Sequence, residues 1–181
     1  MKHLLLCTGL LIVAGTLSAQ QQGPPKRPPA TASATIGGKA VTITYSSPRV
    51  NGREGHIFSK DGQLSKDPTY PVWRAGANSA TALHTDGDIK IGDVVVPKGD
   101  YTLYVDISDP DNWALVINKQ TGQWGTKYDK SMDLGRAMMT MAAPGSLVEN
   151  LKYTLTDNGG GKGSLSLAWE KKSGSVSIGA H

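Results

Sequence analysis

Tyr101-Thr102-Leu103-Tyr104-Val105-Asp106-Ile107 decides the fold. Tyr101, Leu103, Val105 and Ile107 alternate with other residues and share a face, which is the two-residue period of a β-strand. Lys98-Gly99-Asp100 turns the chain into this segment and Asp109-Pro110-Asp111-Asn112 turns it out. The next run, Trp113 to Ile117, is almost wholly apolar, so it predicts a strand covered on both faces. Upstream, Val94 to Val96 is a short apolar strand ended by Pro97. Asp86-Gly87 lies between Ala80 to Thr85 and Asp88 to Ile91, and predicts a two-residue hairpin turn. Gly37-Gly38-Lys39 predicts a second hairpin, pairing Thr31 to Ile36 with the alternating Val41, Ile43 and Tyr45.

The same period continues downstream. Leu151, Tyr153 and Leu155 alternate with Lys152, Thr154 and Thr156; Leu165, Leu167 and Trp169 alternate with Ser164, Ser166 and Ala168. Ser175 to Ile178 closes the chain as a last short strand. Tyr128 to Met141 has the Met and Ala content of a helix, but Gly135 would cost a helix about 1 kcal/mol. Its second half alternates and reads as a strand. About nine short strands at spacings of roughly 8–12 residues, with Gly, Asp and Pro between them, predict an all-β fold, an antiparallel β-sandwich of jelly-roll-like type.

The ends read differently. Lys2, the apolar run Leu4 to Val13 and the small Ala19 predict an export signal over residues 1–19. The apolar run is too short for a membrane span, which needs about 20 residues. Residues 20–31, with Pro24, Pro25, Pro28 and Pro29, predict an extended tether, and residues 32–181 a single β-sandwich domain. Cleavage after residue 19 of the 181 leaves 162 residues and removes Cys7, the one cysteine. Stability must then come from burial, and a chain of this length buries about 70% of its unfolded surface. Loss of Lys2 takes the formal charge from +4 to +3. The cations are scattered, which excludes the concentrated basic stripe of a nucleic-acid binder. The expected location is periplasmic or secreted, with no membrane span after cleavage.

Familiar catalytic patterns are missing. Gly159-Gly160-Gly161-Lys162-Gly163-Ser164 has no Ser or Thr directly after its lysine, so it predicts a hairpin turn rather than a phosphate loop. Asp86-Gly87-Asp88 and Asp109-Pro110-Asp111-Asn112 lack calcium-loop spacing and read as turns. His56, His84 and His181 show no zinc-ligand spacing. His84 shares a strand face with Ala80 and Ala82, which predicts a hydrogen-bonded sheet histidine. The glutamates Glu54, Glu149 and Glu170 nominate no facing pair of the kind glycosidases need. No catalytic residue, metal or cofactor is expected.

The candidate site is Pro71-Val72-Trp73-Arg74-Ala75-Gly76-Ala77-Asn78-Ser79-Ala80-Thr81. An indole, a five-donor planar cation and an amide stand among residues small enough for close backbone approach. Trp113 and Trp169 fall at inward strand positions and read as core. Trp73 and Trp124 instead sit among small and polar residues, and either line a groove or plug an end of the sandwich. Arg49, Arg53, Trp73, Arg74, Asn78 and Trp124 are the expected ligand-binding set. Their arginines suit an anionic small molecule or an envelope glycan bearing carboxylates.

Six motifs then occur in order: Ser46-Ser47-Pro48-Arg49-Val50-Asn51-Gly52-Arg53, Val72 to Thr81, Pro97-Lys98-Gly99-Asp100-Tyr101-Thr102-Leu103, Trp113 to Asn118, Gln123-Trp124-Gly125, and Leu165-Ser166-Leu167-Ala168-Trp169-Glu170. Over residues 32–178 the chain resembles the bacterial family catalogued as domain of unknown function 2911. The resemblance implies an exported, mostly β, single-domain protein and brings no catalytic residues. It suggests that Ser47-Pro48-Arg49, Trp73-Arg74, Gly76-Ala77-Asn78 and Trp124 belong to the family pattern. Ser59 to Thr69 is longer and more polar than the linker expected of that family, which leaves its part in any rim open. The favoured reading is a non-catalytic binding module of the cell envelope. The alternatives are an envelope hydrolase using His56 or His84 with an aspartate, with or without a metal, and a purely structural envelope protein.

Overall fold

The computed structural model describes residues 27–181. The expected export signal, and residues 20–26 of the expected tether, lie outside the described residues. Among the described residues thirteen strands are present: β1 (Pro29–Ile36), β2 (Lys39–Ser46), β3 (Val72–Trp73), β4 (Thr81–Thr85), β5 (Ile89–Ile91), β6 (Val94–Val96), β7 (Gly99–Asp106), β8 (Ala114–Asn118), β9 (Asp133–Met138), β10 (Thr140–Ala142), β11 (Val148–Gly159), β12 (Lys162–Glu170) and β13 (Lys172–Ala180). They form two antiparallel sheets packed as a sandwich. One has the order β1-β2-β4-β7-β8-β9, with β3 also on β7; the other has the order β11-β12-β13-β5-β6, with β10 on β13.

The alternation that predicted the strands also builds the core. Val41, Ile43, Leu83, Leu103, Val105, Leu115 and Ile117 point inward from the first sheet and meet Leu151, Tyr153, Leu165, Leu167, Val176 and Ile178 from the second. Each large apolar side chain removed from water contributes about 1.5–3 kcal/mol, which is how a cysteine-free body holds together. A smaller cluster of Val72, Tyr104 and Val116, with Ala80 and Tyr128, covers part of the outer face of the first sheet. The apolar run at β8 is therefore buried on both faces, as expected.

Three expectations need correction. The Asp86-Gly87 turn does not close a hairpin. Strand β4 already pairs with β2 and β7, so both its edges are taken, and β5 pairs with β6 and β13 in the other sheet. The turn carries the chain between layers, held by Ala40 N–H donating to the Asp86 carboxylate at 2.7 Å. The strand count exceeds nine because two- and three-residue segments such as β3 and β10 become strands only where a neighbour pairs with them. The expected tether ends earlier, since Pro29, Ala30 and Thr31 pair with Ser46, Tyr45 and Thr44 in β1. The hairpins at Gly37-Gly38 and at Gly160-Gly161 are as expected, and among the described residues no helix is long and apolar enough to cross a membrane.

Candidate functional site

Strands β3 and β4 both pair with β7, β3 at Val105 and Asp106 and β4 from Gly99 to Leu103. They occupy one lane of the sheet, and Arg74 to Ala80 loops out of it. The excursion is firmly held. Ala75 and Asn78 have left-handed backbones, φ 46° and φ 61°. Asn tolerates that region, whereas Ala pays about 1–2 kcal/mol. The Ala75 carbonyl offsets the strain by accepting from Thr81 Oγ1 at 3.1 Å and from the buried Tyr153 hydroxyl at 3.0 Å. A Cβ on Gly76 would come within 2.7 Å of Thr81 Oγ1, so only glycine fits there.

The excursion meets a second loop. Ser79 bridges Trp124, Ala80 N–H donates to Gln123 O at 3.1 Å, and Gly125 N–H donates to Asn78 O at 2.9 Å. A Cβ on Gly125 would meet Arg74 Cδ at 2.4 Å. Trp73, Arg74 and Asn78 from one stretch and Trp124 from a distant loop thus converge on one concavity of about 270 Å³. That is near the lower end of the roughly 300–1,000 Å³ typical of small-molecule sites.

Its wall is aromatic. Trp73 is 2% exposed and stacks on Trp169, with ring centroids 5.8 Å apart and planes 16° apart. Phe58 packs edge-on against Trp73, and Trp113 completes the cluster. Trp169 also lines the concavity, yet its buried Nε1–H has no hydrogen-bond partner among the described residues. A buried donor left unpaired costs about 1–3 kcal/mol. Trp124 is 52% exposed and presents its ring to solvent at the mouth.

The polar groups are Arg27, Gln63, Lys66, Asp67, Arg74 and Asn78. Arg74 Nη2 donates to Asp67 Oδ2 at 2.7 Å, the one hydrogen bond of its guanidinium among the described residues. Asp67 is also held by Thr69, through its N–H at 3.2 Å and its hydroxyl at 2.9 Å. Arg27 Nη1 donates to Asn78 Oδ1 at 3.5 Å. Three cations therefore face one carboxylate across the lining, and a fork with one of its five donors engaged remains open to an acceptor.

Arg49 and Arg53 do not line this concavity. Arg49 pairs with Glu149 at 3.3 Å on the surface. Arg53 donates to Val50 O, Arg49 O and Gln63 Oε1. It stands one step behind the wall and holds Gln63 in place. Sequence reasoning missed Arg27, which it put in the tether, and Gln63, Lys66 and Asp67, which belong to the segment that departs from the expected linker. It read Trp169 as core, which is correct, but the ring has a second role in the wall. The signal available for Asp67 was Asp67-Pro68-Thr69, an Asx-turn sequence that fixes a carboxylate near the chain's own loop.

The histidines lie elsewhere. His84 Nδ1 is 2.7 Å from Asp100 Oδ1, an exposed cross-strand pair of β4 and β7 and the hydrogen-bonded sheet histidine expected. Among the described residues no three His, Asp or Glu side chains cluster so as to hold a metal ion.

A family model described as "Protein of unknown function (DUF2911)" matches residues 27–178. Searches of curated proteins and of solved structures return no match.

Proposed function

The chain belongs to that family of unknown function, whose description carries no activity, and we propose from its own geometry that it is a small-ligand-binding β-sandwich module of the bacterial cell envelope that captures an anionic, carboxylate-bearing ligand. The observation that carries this reading is Arg74. Its guanidinium is only partly buried, has one partner among the described residues, and opens into a concavity walled by stacked indoles. A planar fork matches a carboxylate in two parallel hydrogen bonds. Arg27 and Lys66 add positive potential, and Trp124 offers an apolar face at the entrance. Envelope location rests on the N-terminal export pattern, Lys2 followed by Leu4 to Val13.

Tryptophan emission and thermal melting, followed while D-glucuronate, citrate and N-acetylmuramate are titrated in, test the proposal. At least one should perturb emission and raise the melting temperature, since a ligand that binds only the folded state stabilises it. Arg74→Ala should abolish both responses while retaining a cooperative melt. Indifference to all three carboxylates, or an undiminished response in a folded Arg74→Ala protein, would overturn it.

A further inference from the structure

The aromatic concavity has a neighbour. A trough of about 560 Å³ lies on the outer face of the first sheet. Segments 27–29, 46–48, 78–79 and 123–124 each place one residue in the concavity and another in the trough. Asn78 and Trp124 face the first, Ser79 and Gln123 the second. The two hollows are thus separated by one ridge, made rigid by the Ser79–Trp124 bridge.

Their chemistries differ. The concavity carries Arg27, Lys66 and Arg74, whereas among the described residues the trough lining contains no lysine or arginine. Its floor is a row across three strands, Thr44 opposite Ala82 and Ala82 opposite Thr102. The exposed Thr44 hydroxyl and Ala82 methyl lie there beside the buried Thr102, whose hydroxyl donates to Gln120 O at 2.7 Å, a row with no large side chain. Asp100, the charged residue of the trough, is engaged by His84. At the ridge, the Gln123 amide donates to Thr102 Oγ1 at 3.2 Å and to the Tyr104 hydroxyl at 3.1 Å, and its Oε1 has no partner among the described residues. Either orientation of that amide leaves one hydrogen-bonding atom unpaired.

We propose that the concavity and the trough are two subsites of one groove, and that its ligand is an acid-bearing oligosaccharide. This rests on the anion-binding reading of the concavity. The acidic sugar places its carboxylate on Arg74. The next ring lays its C–H face on the exposed Trp124, an amphipathic ring suited to a surface that is apolar on one side and wet on the other. The neutral sugars run along the trough, where hydroxyls meet the exposed Thr44 and Ser79. A purely anionic polymer does not fit, because among the described residues the trough supplies no cation and holds Asp100.

A glycan array tests this with the purified protein. Uronic- and sialic-acid-bearing oligosaccharides are printed, each beside its acid-free core and its acidic monosaccharide, and the hits are measured in solution by calorimetry. Acid-bearing oligosaccharides should bind at least tenfold tighter than their acidic monosaccharides, and the acid-free cores should not be retained. Ala82→Ile puts bulk on an exposed strand position at the centre of the trough floor. It should erase the tenfold gain and leave monosaccharide affinity unchanged. Monosaccharide binding with no gain from added sugars, or a gain that survives Ala82→Ile, would sink the trough subsite and leave the concavity standing. Binding of neither oligosaccharides nor acidic monosaccharides would sink both.

Discussion

Arg74 and Arg136 belong to the same sheet region, but their surroundings are opposite. Arg136 on β9 is well engaged: its guanidinium donates to Asp106, to the Tyr128 hydroxyl at 2.9 Å and to Asp133 at 3.2 Å. Among the described residues the Arg74 guanidinium has Asp67 alone, and it faces a cavity. The same contrast separates two tryptophans. Trp73 touches three other aromatic rings and is sealed, whereas Trp124 is half exposed at the ridge. A residue type does not declare its role; the fraction of its bonding capacity already spent on the fold does. Where that capacity is spent, the residue is architecture, and where it is open beside a concavity, it is available to a ligand.

The contrast is sharpest for the tryptophans. Trp73→Ala should cost about 3–5 kcal/mol of stability in chemical denaturation, the usual toll of emptying an aromatic site in a core. Trp124→Ala should change stability by less than about 0.5 kcal/mol, as surface substitutions do, while weakening carboxylate binding. Equal destabilisation by the two variants would erase the distinction.

The arginines come next. Arg136→Ala should lower stability by about 1–3 kcal/mol, because it strips hydrogen bonds from two partly buried carboxylates. Arg74→Ala should cost about 1 kcal/mol, since Asp67 keeps both bonds from Thr69. Asp67→Asn removes the carboxylate that competes for the fork, and calorimetry should show several-fold tighter binding of D-glucuronate. Weaker binding would mean that Asp67 orients Arg74 rather than competing for it.

The smallest effect concerns the Arg136 network alone. Burial, then the hydrogen bond to Asp133 and its charge, push the Tyr128 hydroxyl up to about 12. The folded state thus holds this proton more tightly than the unfolded chain, whose tyrosines titrate near 10. The stabilising contribution is complete below about pH 10 and drains away as pH rises from there towards 12. Phenolate absorbance should show one tyrosine whose titration moves to lower pH in Asp133→Asn. No such movement would detach Tyr128 from the Arg136 network.

Much of the candidate site was legible, but unevenly. Trp73, Arg74 and Asn78 stood out because one short stretch combined bulky, charged and tiny residues, and the fold needs that mixture to eject a tightly pinned excursion from a sheet lane. Trp124 stood out for the same reason. Arg49 and Arg53 were misplaced because side-chain type says nothing about which carboxylate or carbonyl lies closest, and Glu149 is a hundred positions from Arg49. Asp67 and Lys66 were passed over because a polar loop reads as solvent-facing until something is seen to pack beneath it.

What the residues determined unaided was local: two-residue alternation set which side chains point inward, and Gly-Gly and Pro-Asp pairs set where the chain reverses, because each depends on sterics within a few bonds. What only the tertiary structure decided was partnership. Strand β4 takes β2 and β7 rather than β5, Trp169 serves both core and wall, and four segments distant in sequence build one ridge between two hollows. Contacts across such separations depend on how two whole sheets pack, and no short window of sequence contains that information.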